Sequence, residues 1–174
     1  MGNMKALVVV VLASLFVIAP VSAVAADKIA VVDIARAIFG SKAAQESLKQ
    51  AEQGADFVAL KAKYEGSAAD LQALAKEAET KRQTWSQEQA AEHQKKMEYA
   101  KADAELAGRK IQGEQKQLQQ RIMQQLGPNA QEALQEVIKE EGITILIRAE
   151  SVLMSSPESN ITAKVADRLN QKTD

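Results

Sequence analysis

Few side chains in the sequence could do covalent or acid–base chemistry. There is no cysteine, and the single histidine, His93, lies beside Glu92 and Lys95 in a polar stretch. The lack of cysteine excludes disulfides, thiolate zinc sites, thiol catalysis and a lipid-modified N-terminal cysteine. Because no second ligand or nucleophile lies at a suitable spacing, we interpret His93 as a solvated side chain rather than a metal ligand or base.

The carboxylates and the loops of the sequence also give no indication of a catalytic site. Asp33 ends a short apolar run, where catalytic carboxylates can lie, but no paired carboxylate is near it in the sequence. We therefore expect Asp33 to cap a turn or a helix. The chain has no GxxxxGKS/T loop and no GxGxxG motif. The sequence predicts a protein that is not an enzyme and uses no cofactor and no metal.

Composition and charge narrow the class further. The 174 residues carry a net charge of −1, only 3% are aromatic, and 31 are alanine and 18 glutamine. This composition is typical of long helices around a thin core. A specific or tight nucleic-acid binder would show a basic excess, which this chain lacks.

The first 26 residues have the order of a secretory signal. Lys5 is their only charge, an apolar run follows to Ala19, and Pro20 precedes a series of small residues. Three cleavage positions fit these small residues, after Ala23, Ala25 or Ala26. We predict a cleavable signal peptide at 1–26 and a periplasmic protein of a Gram-negative bacterium. The alternative is an uncleaved membrane anchor.

Residues 41–126 contain no proline and few β-branched side chains, which predicts helix throughout. Mostly apolar or small residues recur at steps of three and four, which indicates a heptad seam on each of two segments, with weak positions at Ser67 and Glu114. The first seam comprises Phe57, Leu60, Tyr64, Ser67, Leu71, Leu74 and Ala78, and the second comprises Met97, Ala100, Ala104, Ala107, Ile111, Glu114 and Leu118.

This block is predicted to form a helical hairpin, because a straight rod of about 130 Å would leave the preceding strand without a partner. The tip is expected near Gln83 and Thr84, where Ser86 to Gln89 reads as a capping box. Residues 27–40 and 127–174 then form a small β body. It contains apolar strands at 28–33 and 143–147, a third at 151–154, a break at Leu126 to Asn129, and a final helix after Asn160.

Such a body buries too small a core to be stable alone, and no disulfide compensates. The simplest remedy is an obligate oligomer whose subunits share one sheet or barrel. The strand residues predicted to mediate this association are Ile29, Val31, Val32, Ile143, Ile145, Ile147 and Val152.

Basic and apolar residues near the predicted arm tip form a candidate contact surface. These residues are Lys81, Arg82, Trp85, Lys95, Lys96 and Met97. They could contact a bound protein, or weakly contact anionic lipid. The alternative is an ordinary solvated face, since glutamates are interspersed, with Trp85 belonging to the seam.

The order of these segments resembles the Skp (OmpH-like) family of periplasmic chaperones. The segments that carry the resemblance are 28–33, the hairpin, 126–128, 137–147, and 160–162 with its closing helix. The resemblance implies a homotrimer with a small central β barrel, from which three coiled-coil hairpins hang around a cavity. It also implies ATP-independent holding of unfolded outer-membrane β-barrel proteins on their way to the outer membrane.

One feature departs from the family pattern. Well-known members are strongly basic, whereas removal of 1–26 leaves this chain with 21 basic and 23 acidic residues. Electrostatic capture of clients is therefore not expected, and no residues match a lipopolysaccharide site. The alternative function is a coiled-coil adaptor or structural protein of the envelope that docks to one specific partner.

Overall fold

The computed structural model describes residues 27–173, so the predicted signal peptide lies outside the described residues. Most of this part of the chain is helical, and a small parallel sheet lies at one end. No helix between residues 27 and 173 is both long enough and apolar enough to cross a membrane.

The sheet consists of two four-residue strands, β1 (Ile29–Val32) and β2 (Ile145–Arg148). They pair in parallel, with Ile29 opposite Ile145. A parallel pair needs a long crossover connection, and here all the helices between the strands form that connection. The sheet therefore fixes the two ends of the helical hairpin next to each other.

The predicted third strand, which included Val152, is wrong. The chain makes a 3₁₀ turn at Ala149–Ser151 and has no regular structure from 152 to 156. The free edge of β1 is instead used by the segment before the last helix, where the N–H of Ile161 donates to the carbonyl of Val31 at 2.9 Å. Asn160 forms an isolated bridge with Val31 at the same edge. Residues 151–154 were expected to pair with 143–147, but among the described residues β2 pairs only with β1, because the 3₁₀ turn interrupts the extended backbone directly after β2.

Two short helices, α1 (Ile34–Phe39) and α2 (Lys42–Gln53), follow β1. The Asp33 carboxylate accepts the N–H of Arg36 at 2.8 Å, so its predicted role as a helix cap is confirmed. Its own N–H donates to the hydroxyl of Thr162, which ties the start of α1 to the last helix. The buried Ser41 caps α2.

The arm consists of α3 (Ala55–Lys81) and the long α4 (Gln87–Glu141). An extended residue, Gly54, separates α2 from α3. A 3₁₀ turn at Arg82–Thr84 reverses the chain, and Ser86 and Gln89 form the predicted capping box at the start of α4. At the other end, Gly142 stops α4 with a φ of 62°, a conformation that favours glycine.

The expected break at Leu126 to Asn129 is also wrong, because α4 continues through Pro128. A proline inside a helix lacks one backbone donor and commonly costs about 3 kcal/mol. Here the residues on either side pack into the core, since Ile122, Ala130 and Ala133 are at most 1% exposed. Tertiary packing therefore outweighs the local cost, while Pro128 itself faces solvent.

The core lies where the last third of α4 meets α1, β1 and the final helix, α5 (Thr162–Thr173). Its fully buried side chains include Ile38, Ile122, Ile161, Val165 and Leu169. Alanines fill much of the remaining contact area, which lets the helices approach closely. One face of the small sheet is thereby covered from within the same chain.

Ion pairs clamp α5 and the start of β1 onto α4. The pairs are Lys28–Glu141, Lys164–Glu141, Arg168–Glu136, Arg168–Glu140, Lys172–Glu132 and Lys172–Glu136. Hydrogen bonds from Lys164 and then Lys28 lower the pKa of Glu141 to about 2. The two pairs with Arg168 and Lys172 likewise lower the pKa of Glu136.

The ionic clamp is expected to weaken in acid. The pKa of Glu141 falls from its usual 4.5 to about 2 on folding, so its contribution to stability is present above about pH 4.5 and is lost as the pH falls toward 2. Thermal unfolding followed by circular dichroism between pH 6 and pH 2 measures this. Glu141→Gln should flatten the acid limb of the melting temperature, whereas Glu150→Gln, at an exposed position after β2, should leave it unchanged. Equal profiles for all three proteins would contradict the assignment.

Candidate functional site

Four exposed apolar side chains lie on the small sheet or in the segment that follows it. Ile29 and Ile145, which lie opposite each other in the register, are 50% and 43% exposed. In the segment after β2, Leu153 and Met154 are almost completely exposed. We call these four residues the apolar end. Single exposed apolar residues are normal, but paired ones on a short sheet mark a surface suited to association.

The residues predicted to mediate oligomerisation divide into two groups. Val31, Val32 and Ile143 are buried within the chain itself, so they stabilise the single subunit. Ile29 and Ile145 are exposed, and Ile147 and Val152 are half-buried. Within the described residues β2 pairs only with β1, so its outer edge has unpaired backbone groups.

The two helices of the arm run antiparallel and contact each other along their length. Lys63 pairs with Asp103, and the ring of Tyr64 lies against Gly108. No residue of α3 is fully buried, whereas Ala107 of α4 is 1% exposed. The contact is thus narrow, and small side chains allow the helices to approach closely at its centre.

The predicted contact residues at the tip do not form one exposed patch. Lys81, Arg82, Lys95 and Lys96 are exposed, and Lys81 donates to Glu77 at 3.0 Å. Trp85 and Met97 are half-buried. The Trp85 ring lies 4.4 Å from the His93 ring between centroids, so Trp85 packs within the tip rather than projecting freely.

The interpretation of His93 as a solvated side chain is wrong. Its side chain is 9% exposed, and its Nε2 atom is buried without a hydrogen-bond partner. A signal for this was present in the sequence, since His93 lies four residues before Met97 and extends the second seam by one step. The interpretation as a solvated side chain depended on the polar neighbours of His93 and on the lack of a second ligand at a suitable spacing.

Several exposed apolar residues on the arm were not predicted as contacts. Tyr99 is 71% exposed, Val58 51%, Tyr64 42% and Leu106 41%. Tyr99 and Leu106 are seven residues apart and therefore share one face of α4. The arm presents scattered apolar side chains between charged ones, which suits many weak contacts rather than one deep pocket.

The described residues show no arrangement suited to metal chemistry. Between residues 27 and 173, no three histidine, aspartate or glutamate side chains come together in a way that could hold a metal ion. A groove of about 560 Å³ lies at the junction of α2 and α3 and is lined by Leu48, Phe57, Leu60 and Leu118 among others. The geometry thus directs attention to surfaces rather than to a catalytic centre.

The family model for outer membrane protein (OmpH-like) matches residues 28–169, which includes both strands, the arm and most of α5. The chain belongs to the OmpH-like family. That family is a chaperone family, and its outer-membrane chaperones are periplasmic in Gram-negative bacteria.

A crystal structure from Caulobacter crescentus CB15, named as a candidate outer membrane chaperone (OmpH-like), is similar to this OmpH-like chain. The sequence identity is 20% and the TM-score is 0.48, and the match covers 84% of this chain and 85% of that chain. No curated protein matches the chain.

The close approach of the arm helices in this OmpH-like chain can be tested at Ala107. Ala107→Leu places a large side chain where 1% of the residue is exposed, so it should separate α3 from α4 and destabilise the arm by about 1–3 kcal/mol. Ala102→Leu, at an exposed position of the same helix, is the matched control and should have little effect. Urea unfolding followed by circular dichroism gives both values, and equal midpoints would contradict the seam.

Proposed function

We propose that this chain is an ATP-independent holdase that binds unfolded outer-membrane β-barrel proteins in the periplasm and aids their delivery to the outer membrane. The working unit is a homotrimer, and residues 1–26 are its cleavable export signal. Membership of a chaperone family supports the general function. The observation that carries the specific proposal is the pairing of an apolar end with a long, solvated arm in one chain.

The exposed side chains and the unpaired edge of the sheet support the proposed association of subunits. Two four-residue strands form a marginal sheet. One face is covered by helices, but Ile29 and Ile145 remain about half exposed, and the outer edge of β2 is unpaired among the described residues. Neighbouring copies would cover these side chains and satisfy that edge. Three copies closing into a barrel would remove every open edge, as the resemblance to Skp proteins implies.

The exposed apolar side chains of the arm support the proposed binding of unfolded clients. The helix α3 alone extends for about 40 Å, and none of its residues is fully buried. Exposed Tyr64, Tyr99 and Leu106 could each make a weak contact with an apolar segment of a client. Several arms acting on one chain would raise the effective concentration of such contacts, so a client could be retained without a tight site.

The nearly balanced charge of the arm supports binding of unfolded clients that depends little on salt concentration. Residues 41–126 carry 14 basic and 13 acidic side chains. At the tip, exposed Lys95 and Lys96 lie among exposed Glu88 and Glu92. Any attraction of the tip to anionic lipid would therefore be weak and screened at physiological salt. The sequence has no phosphate loop for ATP.

Association through the apolar end has a direct test. The double substitution Ile29→Asp and Ile145→Asp places two like charges opposite each other on the strand pair and should convert the trimer into monomers at micromolar concentration. Val58→Asp introduces the same change at an arm position that is 51% exposed, against 50% for Ile29, and should leave the trimer intact. Light scattering gives the masses. A monomeric wild-type chain would overturn the oligomer.

Holding can be measured with a urea-unfolded β-barrel protein that aggregates on dilution. The wild-type chain should suppress turbidity at stoichiometric amounts without ATP, and the double substitution Tyr99→Ser and Leu106→Ser should reduce the suppression several-fold. Lys116→Ser, at an exposed polar position of the same helix, is the control. Absence of suppression by the wild type would contradict the holdase.

The adaptor alternative makes a different prediction in the same preparation. Capture of many unfolded barrels from an envelope extract agrees with a holdase. Recovery of one folded partner in a fixed ratio, together with no suppression of aggregation, would favour an adaptor that docks to one protein.

A further inference from the structure

The tip of the arm contains a titratable group that no part of the proposed function uses. His93 lies in the second turn of α4, and its side chain faces the end of α3. It is the only histidine in the sequence, and Trp85, whose ring it contacts, is the only tryptophan. The side chain of His93 is 9% exposed although the rest of the tip is mostly solvated.

The neighbours of His93 leave one hydrogen-bonding position open. Its Nε2 atom is buried and has no partner, and Oε2 of Glu77 lies 3.9 Å away, beyond hydrogen-bond reach. The other oxygen of Glu77, Oε1, already accepts from Lys81 at 3.0 Å. Glu77 therefore has one oxygen engaged within α3 and the other directed toward α4.

We propose that this tip is a proton-operated clasp, in which protonation of His93 joins α4 to Glu77 of α3. Protonated imidazole carries a proton on both ring nitrogens, so Nε2 then donates toward Oε2 of Glu77. A small rotation of the half-exposed Glu77 side chain closes the 3.9 Å gap. The resulting bond is charge-assisted and connects the last turns of α3 to the first turns of α4.

The charged groups around His93 oppose each other. Lys81 on α3 and Lys96 on α4 both compete with His93 for the Glu77 carboxylate. Oε2 of Glu77 lies on the Nε2 side of the imidazole, and the Trp85 ring packs against it.

The direction of the effect is opposite to that of the ionic clamp between α4 and α5. Protonation of His93 tightens the tip, whereas the neutral ring makes no charge-assisted bond to Glu77 and leaves the tip looser. The clasp is a property of the arm itself, and it does not depend on whether the chain acts as a holdase. In a working holdase, the looser tip with a neutral His93 would allow the ends of the arms to spread.

The fluorescence of Trp85, the only tryptophan in the sequence, can report the protonation of His93, the only histidine. A protonated imidazole in contact with an indole quenches its fluorescence, so Trp85 emission of the full-length protein should fall in one step between about pH 8 and pH 5. His93→Gln should abolish the step. Glu77→Gln should move its midpoint to lower pH by about one unit. Glu79→Gln removes the same charge at an exposed position two residues away and should move the midpoint far less.

Hydrogen exchange provides a second measurement, which distinguishes tightening of the tip from local quenching of Trp85 alone. After correction for the intrinsic pH dependence, amides of residues 78–93 should exchange several-fold more slowly at pH 5.5 than at pH 7.5. This difference should disappear in both His93→Gln and Glu77→Gln. A flat fluorescence titration, equal midpoints for Glu77→Gln and Glu79→Gln, or unchanged protection would each overturn the clasp.

Discussion

The smallness of the parallel sheet constrains the rest of the structure. Two four-residue strands cannot stabilise themselves, so helices from both ends of the chain cover one of their faces. Residues with no side-chain bulk, such as Ala37, Ala130 and Ala133, allow α1 and α4 to pack closely there. Ion pairs at the surface then attach α5 along α4. The uncovered side of the sheet is where a single chain is least complete.

The arm follows a different principle from the body. Its helices are stabilised along one narrow line, with Ala107 at the closest approach and Tyr64 over Gly108. Most remaining side chains are solvated, so the arm gains little stability from burial. A surface of this kind is free to make contacts that neither deform the arm nor hold a partner rigidly. The apolar end and the arm are therefore two separate surfaces of the chain.

Local chemistry was readable from the sequence where one residue decides the geometry. The Asp33 cap, the capping box at Ser86 and the left-handed Gly142 follow from side-chain or backbone preferences that need no distant partner. The family was readable from the order of the segments. Pro128 was misjudged because packing of α4 into the core outweighs the local cost of one proline. Residues 151–154 were misjudged because a 3₁₀ turn at Ala149–Ser151 interrupts the extended backbone after β2. The burial of His93 was missed because its polar neighbours in sequence were given more weight than its four-residue spacing from Met97.

The pairing of β1 with β2 has a consequence for the order of folding. The N–H of Thr144 donates to the carbonyl of Lys28, which lies 116 positions earlier. Contacts so distant in sequence form late, whereas the helices and their turn form from near neighbours. We therefore expect the hairpin to fold first and to bring the second strand to the first. Until then β1 has no partner, so the arm acts as an internal guide that ends the exposure of this strand.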